Sequence, residues 1–87
     1  MLILQQFTSA SCVVCRRHKP ILDEIEAVFD GDLTVKYVDV ATLLEEEADA
    51  IQTVPFYRLL QDGVVKEQWC GIKEKSWIIE KIEEYLE

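Results

Sequence analysis

The chain has 87 residues, 49% of them hydrophobic, with only three Gly and two Pro. That is one small domain, 1–87, and not a disordered tail, a collagen-like repeat or a Gly/Ser linker. Seventeen acids against nine Lys and Arg leave a net charge of −8, which argues against a nucleic-acid or membrane-surface partner, since both need clustered bases.

No apolar run approaches the ~20 residues of a membrane span. The opening Met1–Phe7 carries no basic region of a signal peptide, so the expected location is cytoplasmic. Charge is uneven along the chain. Residues 1–22 hold no acid but do hold Arg16, Arg17, His18 and Lys19, whereas residues 45–87 carry 11 acids against five bases. One basic spot therefore adjoins Cys12 and Cys15.

Leu2–Phe7 is short, apolar and followed by Thr8-Ser9-Ala10-Ser11, which predicts a strand and then a loop. From Cys12 to Phe29 the period turns helical, with Ile21, Ile25 and Phe29 four apart. Ser11 is the expected N-cap, Pro20 the expected kink, and Asp30-Gly31-Asp32 the stop. Leu33–Val40 is rich in β-branched residues and predicts a strand parallel to the first. Thr42-Leu43-Leu44-Glu45 has the spacing of a capping box opening a short helix. Phe56–Leu60 and Val64–Trp69 flank Gln61-Asp62-Gly63, a hairpin signal. Glu74–Leu86 predicts a last amphipathic helix with Ile78, Ile82 and Tyr85 on one face. The expected fold class is α/β, ordered β-α-β-α-β-β-α, a four-stranded mixed sheet flanked by three helices on both faces.

Cys12-Val13-Val14-Cys15 falls where a strand gives way to a helix. The first turn of a helix offers unpaired N–H groups and the positive end of its dipole. A thiolate there is stabilised, so its pKa falls below the free value of ~8.5. Two intervening residues put the second sulfur within disulfide reach of the first. Cys12 is then the expected nucleophile and Cys15 the thiol that resolves the mixed disulfide. Three Cys is an odd count, which speaks against a secreted disulfide framework.

Cys12-Val13-Val14-Cys15 and Pro20-Ile21-Leu22-Asp23-Glu24-Ile25 resemble the active-site helix of thioredoxins, whose proline also falls five residues after the second Cys. Thr53-Val54-Pro55 resembles the loop in which thioredoxins and glutaredoxins carry a cis-proline facing the cysteines. Gly63 and Gly71, eight and sixteen residues further on, are similar to the family's hairpin and final-loop glycines. The resemblance spans roughly residues 2–86 and lacks the extra N-terminal strand and helix of full-length thioredoxins. It implies a minimal, glutaredoxin-sized member of the thioredoxin-like fold. It further implies a protein disulfide reductase or electron carrier serving cell redox homeostasis, with a redox-active Cys12–Cys15 disulfide and no cofactor or metal. The substrate surface it implies comprises Val13, Val14, Thr53, Val54, Pro55, Cys70 and Gly71. Its implied partners are a flavin-dependent thioredoxin reductase or glutathione as reductant, and disulfide-bearing proteins such as ribonucleotide reductase. A monomer is expected.

Three positions depart from the family pattern: Ser11 stands where thioredoxins carry Trp, Val13-Val14 where they carry Gly-Pro, and Gln6 where they bury an acid. Alternative readings are a glutathione-dependent enzyme, a non-catalytic interaction module and a Zn site. Cys12, Cys15, His18 and Cys70 have the composition of a structural Zn site, but Cys70 is solitary where zinc knuckles pair. His18 is therefore expected to be a solvated helix residue and Cys70 a buried structural thiol. Trp69 and Trp77 are expected to pack, and Glu45-Glu46-Glu47 to face water.

Overall fold

Alternation along the first strand decides how the sheet is covered. In β1 (Leu2–Thr8), Leu2, Leu4 and Gln6 are buried on one face, while Ile3 and Gln5 are half-buried on the other. β2 (Leu33–Asp39) runs parallel to β1, and β3 (Phe56–Gln61) runs antiparallel to it, with β4 (Val64–Cys70) outside β3. The order is β2-β1-β3-β4, so β1 lies in the middle. This computed structural model describes residues 1–51 and 53–86.

Three helices complete the chain: α1 (Val13–Val28), α2 (Glu45–Ala50) and α3 (Lys75–Glu84). Leu22 and Ile25 of α1 and Ile78 and Ile82 of α3 join Leu2, Leu4, Leu33, Tyr57, Leu59 and Trp69 in one buried core. Register explains why these meet: Leu4 pairs with Leu59 and Gln6 with Tyr57, so their side chains share a face. On the opposite face, Glu47 of the short α2 and the flanking Leu43 and Ile51 approach Phe7, Arg58 and Leu60. The element order and mixed sheet agree with the expectation from the sequence.

Several boundaries differ from that expectation. Cys12, not Ser11, is the N-cap of α1. Pro20 lies inside α1 without ending it. Thr42 does not open α2. It closes a single 3-10 turn over Val40–Thr42, its hydroxyl donating to the Asp39 carbonyl at 2.7 Å. Leu44 precedes α2 with no side-chain cap, so the capping box is not formed. The strands run to Thr8, Gln61 and Cys70, while β2 stops at Asp39 and α3 starts at Lys75. In the hairpin, Asp62 (φ 52) and Gly63 (φ 84) both take positive φ, as a two-residue turn matched to strand twist requires.

Candidate active site

The carboxyl ends of β1 and β4 and the amino end of β3 fall on one edge of the sheet, because Phe7 pairs with Phe56 and Phe56 with Cys70. The loops leaving that edge carry Cys12, Pro55 and Gly71. Gly71 N–H donates to the Pro55 carbonyl at 2.9 Å and so ties two of these loops together. The Val54–Pro55 peptide is cis.

Cys12 and Cys15 form a disulfide with Cα atoms 5.3 Å apart. The two sulfurs have different surroundings. Cys12 caps the helix, its sulfur accepting the Cys15 backbone N–H at 3.1 Å. The helix N-terminus thus donates to that atom, which is the condition that stabilises a thiolate. Cys15 is 1% exposed, on the buried side of α1. The turn leading in is fixed by Cys12 N–H on the Ser9 carbonyl (3.1 Å) and by the Arg16 guanidinium, which donates to the Ala10 carbonyl at 2.7 Å. Val13 and Val14 are each 48% exposed beside the disulfide. Thr53 is exposed, Val54 half-buried and Pro55 buried.

Two assignments from the sequence are corrected. Cys70 is a free, exposed thiol rather than a buried structural one. As the last residue of β4 it follows the buried Trp69, and strand alternation turns it away from the core. His18 is buried, at 2% exposure, not solvated. Cys15, His18, Leu22 and Ile25 are the four buried residues of α1, a 3-4-3 spacing that forms one stripe.

His18 belongs to a buried polar group that the sequence reading missed. The Gln6 amide donates to the Cys15 carbonyl (3.2 Å) and to the Tyr57 hydroxyl (3.0 Å), and Tyr57 lies 2.6 Å from His18 Nδ1. Burial lowers the pKa of His18 and raises that of Tyr57, the latter opposed by the Gln6 hydrogen bond. The alternation of β1 and the stripe on α1 are the signals that could have found this group. Among the described residues, no cluster of three or more His, Cys, Asp or Glu could hold a metal ion, and no helix is long and apolar enough to cross a membrane.

A Cys-x-x-Cys pair at the mouth of a helix, on a four-stranded mixed sheet of this strand order, defines the class of thiol–disulfide oxidoreductases on the thioredoxin fold. The chain belongs to the thioredoxin family, whose model, described as Thioredoxin, matches residues 1–84. Members of this family need no cofactor, the redox-active disulfide being part of the protein. Among solved structures it is similar to a single-substitution mutant of the thioredoxin from Halobacterium salinarum NRC-1. The TM-score is 0.82 at 25% identity, over 99% of this chain and 75% of that one. No curated protein matches the chain.

Proposed function

We propose that the protein is a disulfide reductase, a small electron carrier that reduces disulfides of other proteins in the cytoplasm. The observation that carries this reading is the asymmetry of the pair: the Cys12 sulfur accepts an N–H at the helix mouth while Cys15 is buried beneath it. In the reduced protein the Cys12 thiolate attacks a substrate disulfide and forms a mixed disulfide. Cys15 then attacks Cys12 and frees the reduced substrate, leaving the Cys12–Cys15 disulfide. The exposed Val13 and Val14, together with Thr53, Val54, Pro55, Cys70 and Gly71, form the surface on which substrate rests. The backbone of Val54 suits pairing with an extended strand. A flavin-dependent thioredoxin reductase or glutathione returns the two electrons. A ribonucleotide reductase is one substrate that family analogy suggests, and the carrier acts as a monomer.

Reduction of insulin's disulfides by the protein with dithiothreitol tests this. The parent accelerates precipitation of the reduced chains, whereas Cys12→Ser abolishes the acceleration. Retained activity in Cys12→Ser overturns the reading. Turnover supported by reduced glutathione with glutathione reductase, against turnover supported by a flavin-dependent reductase with NADPH, identifies the electron donor.

A further inference from the structure

Reduction by Cys12 and Cys15 leaves two buried titratable side chains without a role, His18 and its partner Tyr57. His18 lies three residues after Cys15 on the same buried stripe of α1, and its Nε2 has no hydrogen-bond partner among the described residues. Counting donors fixes the polarity of the bonds that join it to the motif. The Gln6 amide has two hydrogens, and the geometry uses both, one on the Cys15 carbonyl and one on the Tyr57 oxygen. Tyr57 has one hydrogen to give, and His18 Nδ1 lies 2.6 Å away to accept it. With a neutral imidazole protonated on Nε2, each bond from Cys15 to Nδ1 has one hydrogen and one acceptor, and only the Nε2 hydrogen is left over. An imidazolium would donate from both nitrogens. Its Nδ1–H would face the Tyr57 oxygen, and the phenolic hydrogen would lose its acceptor.

We propose that His18 is a positioning residue for the resolving step. As a neutral acceptor it anchors Tyr57 and, through Tyr57, the Gln6 amide that holds the Cys15 carbonyl, which keeps the Cys15 sulfur directed at Cys12. The proposal rests on the disulfide-reductase reading above. The groups around His18 offer a cation no support. β3 presents the Tyr57 phenol, β1 the uncharged Gln6 amide and the segment after β4 the apolar Ile72; α1 itself presents Cys15, Val14, Ile21 and, at the rim, the like-charged Arg17. None of these is a carboxylate, and burial independently disfavours the imidazolium.

In the step concerned, the Cys15 thiolate attacks the Cys12 sulfur of the mixed disulfide. The Cys12–Cys15 bond forms, the bond from Cys12 to the substrate sulfur breaks, and the substrate departs as a thiolate that takes its proton from water. The two electrons gained by the substrate come from the protein's two thiols, so His18 orients the attacking group and leaves the redox balance untouched.

Stopped-flow reaction of the reduced protein with 5,5′-dithiobis(2-nitrobenzoate) separates the steps. The first thionitrobenzoate release reports attack by Cys12 and the second reports resolution by Cys15. All proteins are compared in one Cys70→Ser background, so that the exposed third thiol does not compete. In the parent, the second phase falls more steeply than the first as pH drops through the lowered folded value of His18, which lies below the ordinary imidazole value of ~6.5. His18→Gln places a neutral acceptor there at every pH. It keeps the second phase within about twofold of the parent at pH 7.5 and removes the extra fall. His18→Leu and Tyr57→Phe each slow the second phase about tenfold at pH 7.5, the scale of one buried hydrogen bond, with the first phase unchanged. Joining the two slows it no further. Tyr57→Phe keeps the ring and reads the same chain should His18→Leu not fold. Identical pH profiles in the parent and His18→Gln, or parental resolution in Tyr57→Phe, overturn the proposal. A parent that gives no second release overturns the reductase reading itself.

Discussion

On the face of the sheet beneath α1 and α3, Leu4, Leu22, Ile25, Tyr57, Leu59, Ile78 and Ile82 have no exposed surface. On the face beneath α2, Ile3, Phe56, Arg58 and Leu60 remain half-buried, and the Arg58 guanidinium lies over the rings of Phe7 and Phe56 at 5.1 and 5.6 Å. The difference begins with helix length: helices of sixteen and ten residues cover the first face, and one of six residues lies over the second. A helix of less than two turns spans about 9 Å, too little to seal four strands set about 4.8 Å apart. The active-site helix is rooted in the closed face, so Cys15 is buried there while Cys12 is partly exposed at the rim.

The sharpest way to break this comparison uses two adjacent residues of β3. Leu59 has no exposure and points to the closed face, and Leu60 points to the other and is half-buried. Leu59→Ala should cost about 2–5 kcal/mol, which removes much of the stability of so small a domain. Leu60→Ala should cost less than half as much, because the site already touches water. Urea unfolding midpoints of the two variants decide it, and equal losses would show that α2 seals its face as well as α1 and α3 seal theirs.

The cysteines sharpen the same contrast. With the protein reduced, iodoacetamide at pH 7 should modify Cys12 at least about tenfold faster than Cys15, since only Cys12 combines a helix-mouth sulfur with access to solvent. Peptide mapping of partly labelled protein gives both rates. Faster labelling of Cys15 would place the open side of the site beneath the helix rather than at its tip.

A smaller effect follows from the polar group on the closed face. His18 is the only histidine, and burial holds its pKa below the unfolded value. The unfolded chain therefore binds the proton more readily, and stability rises with pH through this range. The contribution is complete above ~6.5 and is lost as pH falls through the unfolded and then the lowered folded value. Urea midpoints should drop between pH 7.5 and 5 in the parent and change less in His18→Gln. A parent that gains stability on acidification over that interval would contradict the neutral, buried assignment.

How much of this could be read in advance varies by element. Cys12-x-x-Cys15, the Asp62-Gly63 turn and the parallel β1–β2 pair rest on local chemistry and periodicity, and each stands where the pattern puts it. Thr42 failed because a capping box competes with the Asp39 turn that captures its hydroxyl first. His18 failed for a different reason. Its polarity suggested water, yet Cys15, His18, Leu22 and Ile25 keep the spacing of a buried stripe, and the partner that makes burial tolerable, Tyr57, is 39 residues away. No local pattern announces such a partner. Cys70 was misplaced because its burial depends on which way the last residue of β4 turns, and Trp69 takes the inward position.

The smallest effect expected is at the seam between α1 and α3, where Lys75 Nζ lies 2.9 Å from Glu24 Oε2. The pair joins the two helices that close the better-sealed face, so it is the natural candidate for an electrostatic clamp. Its setting argues otherwise: the side chains are 43% and 61% exposed. Water and salt screen such a pair, and holding two long side chains in one geometry costs entropy. Beneath it, Leu22, Ile25, Ile78 and Ile82 are fully buried and carry the attachment. Lys75→Met should therefore change stability by no more than about 0.5 kcal/mol, with little dependence on added NaCl. A loss above ~1 kcal/mol that vanishes at high salt would mean that the ion pair, rather than the apolar contact below it, sets the distance between the helices.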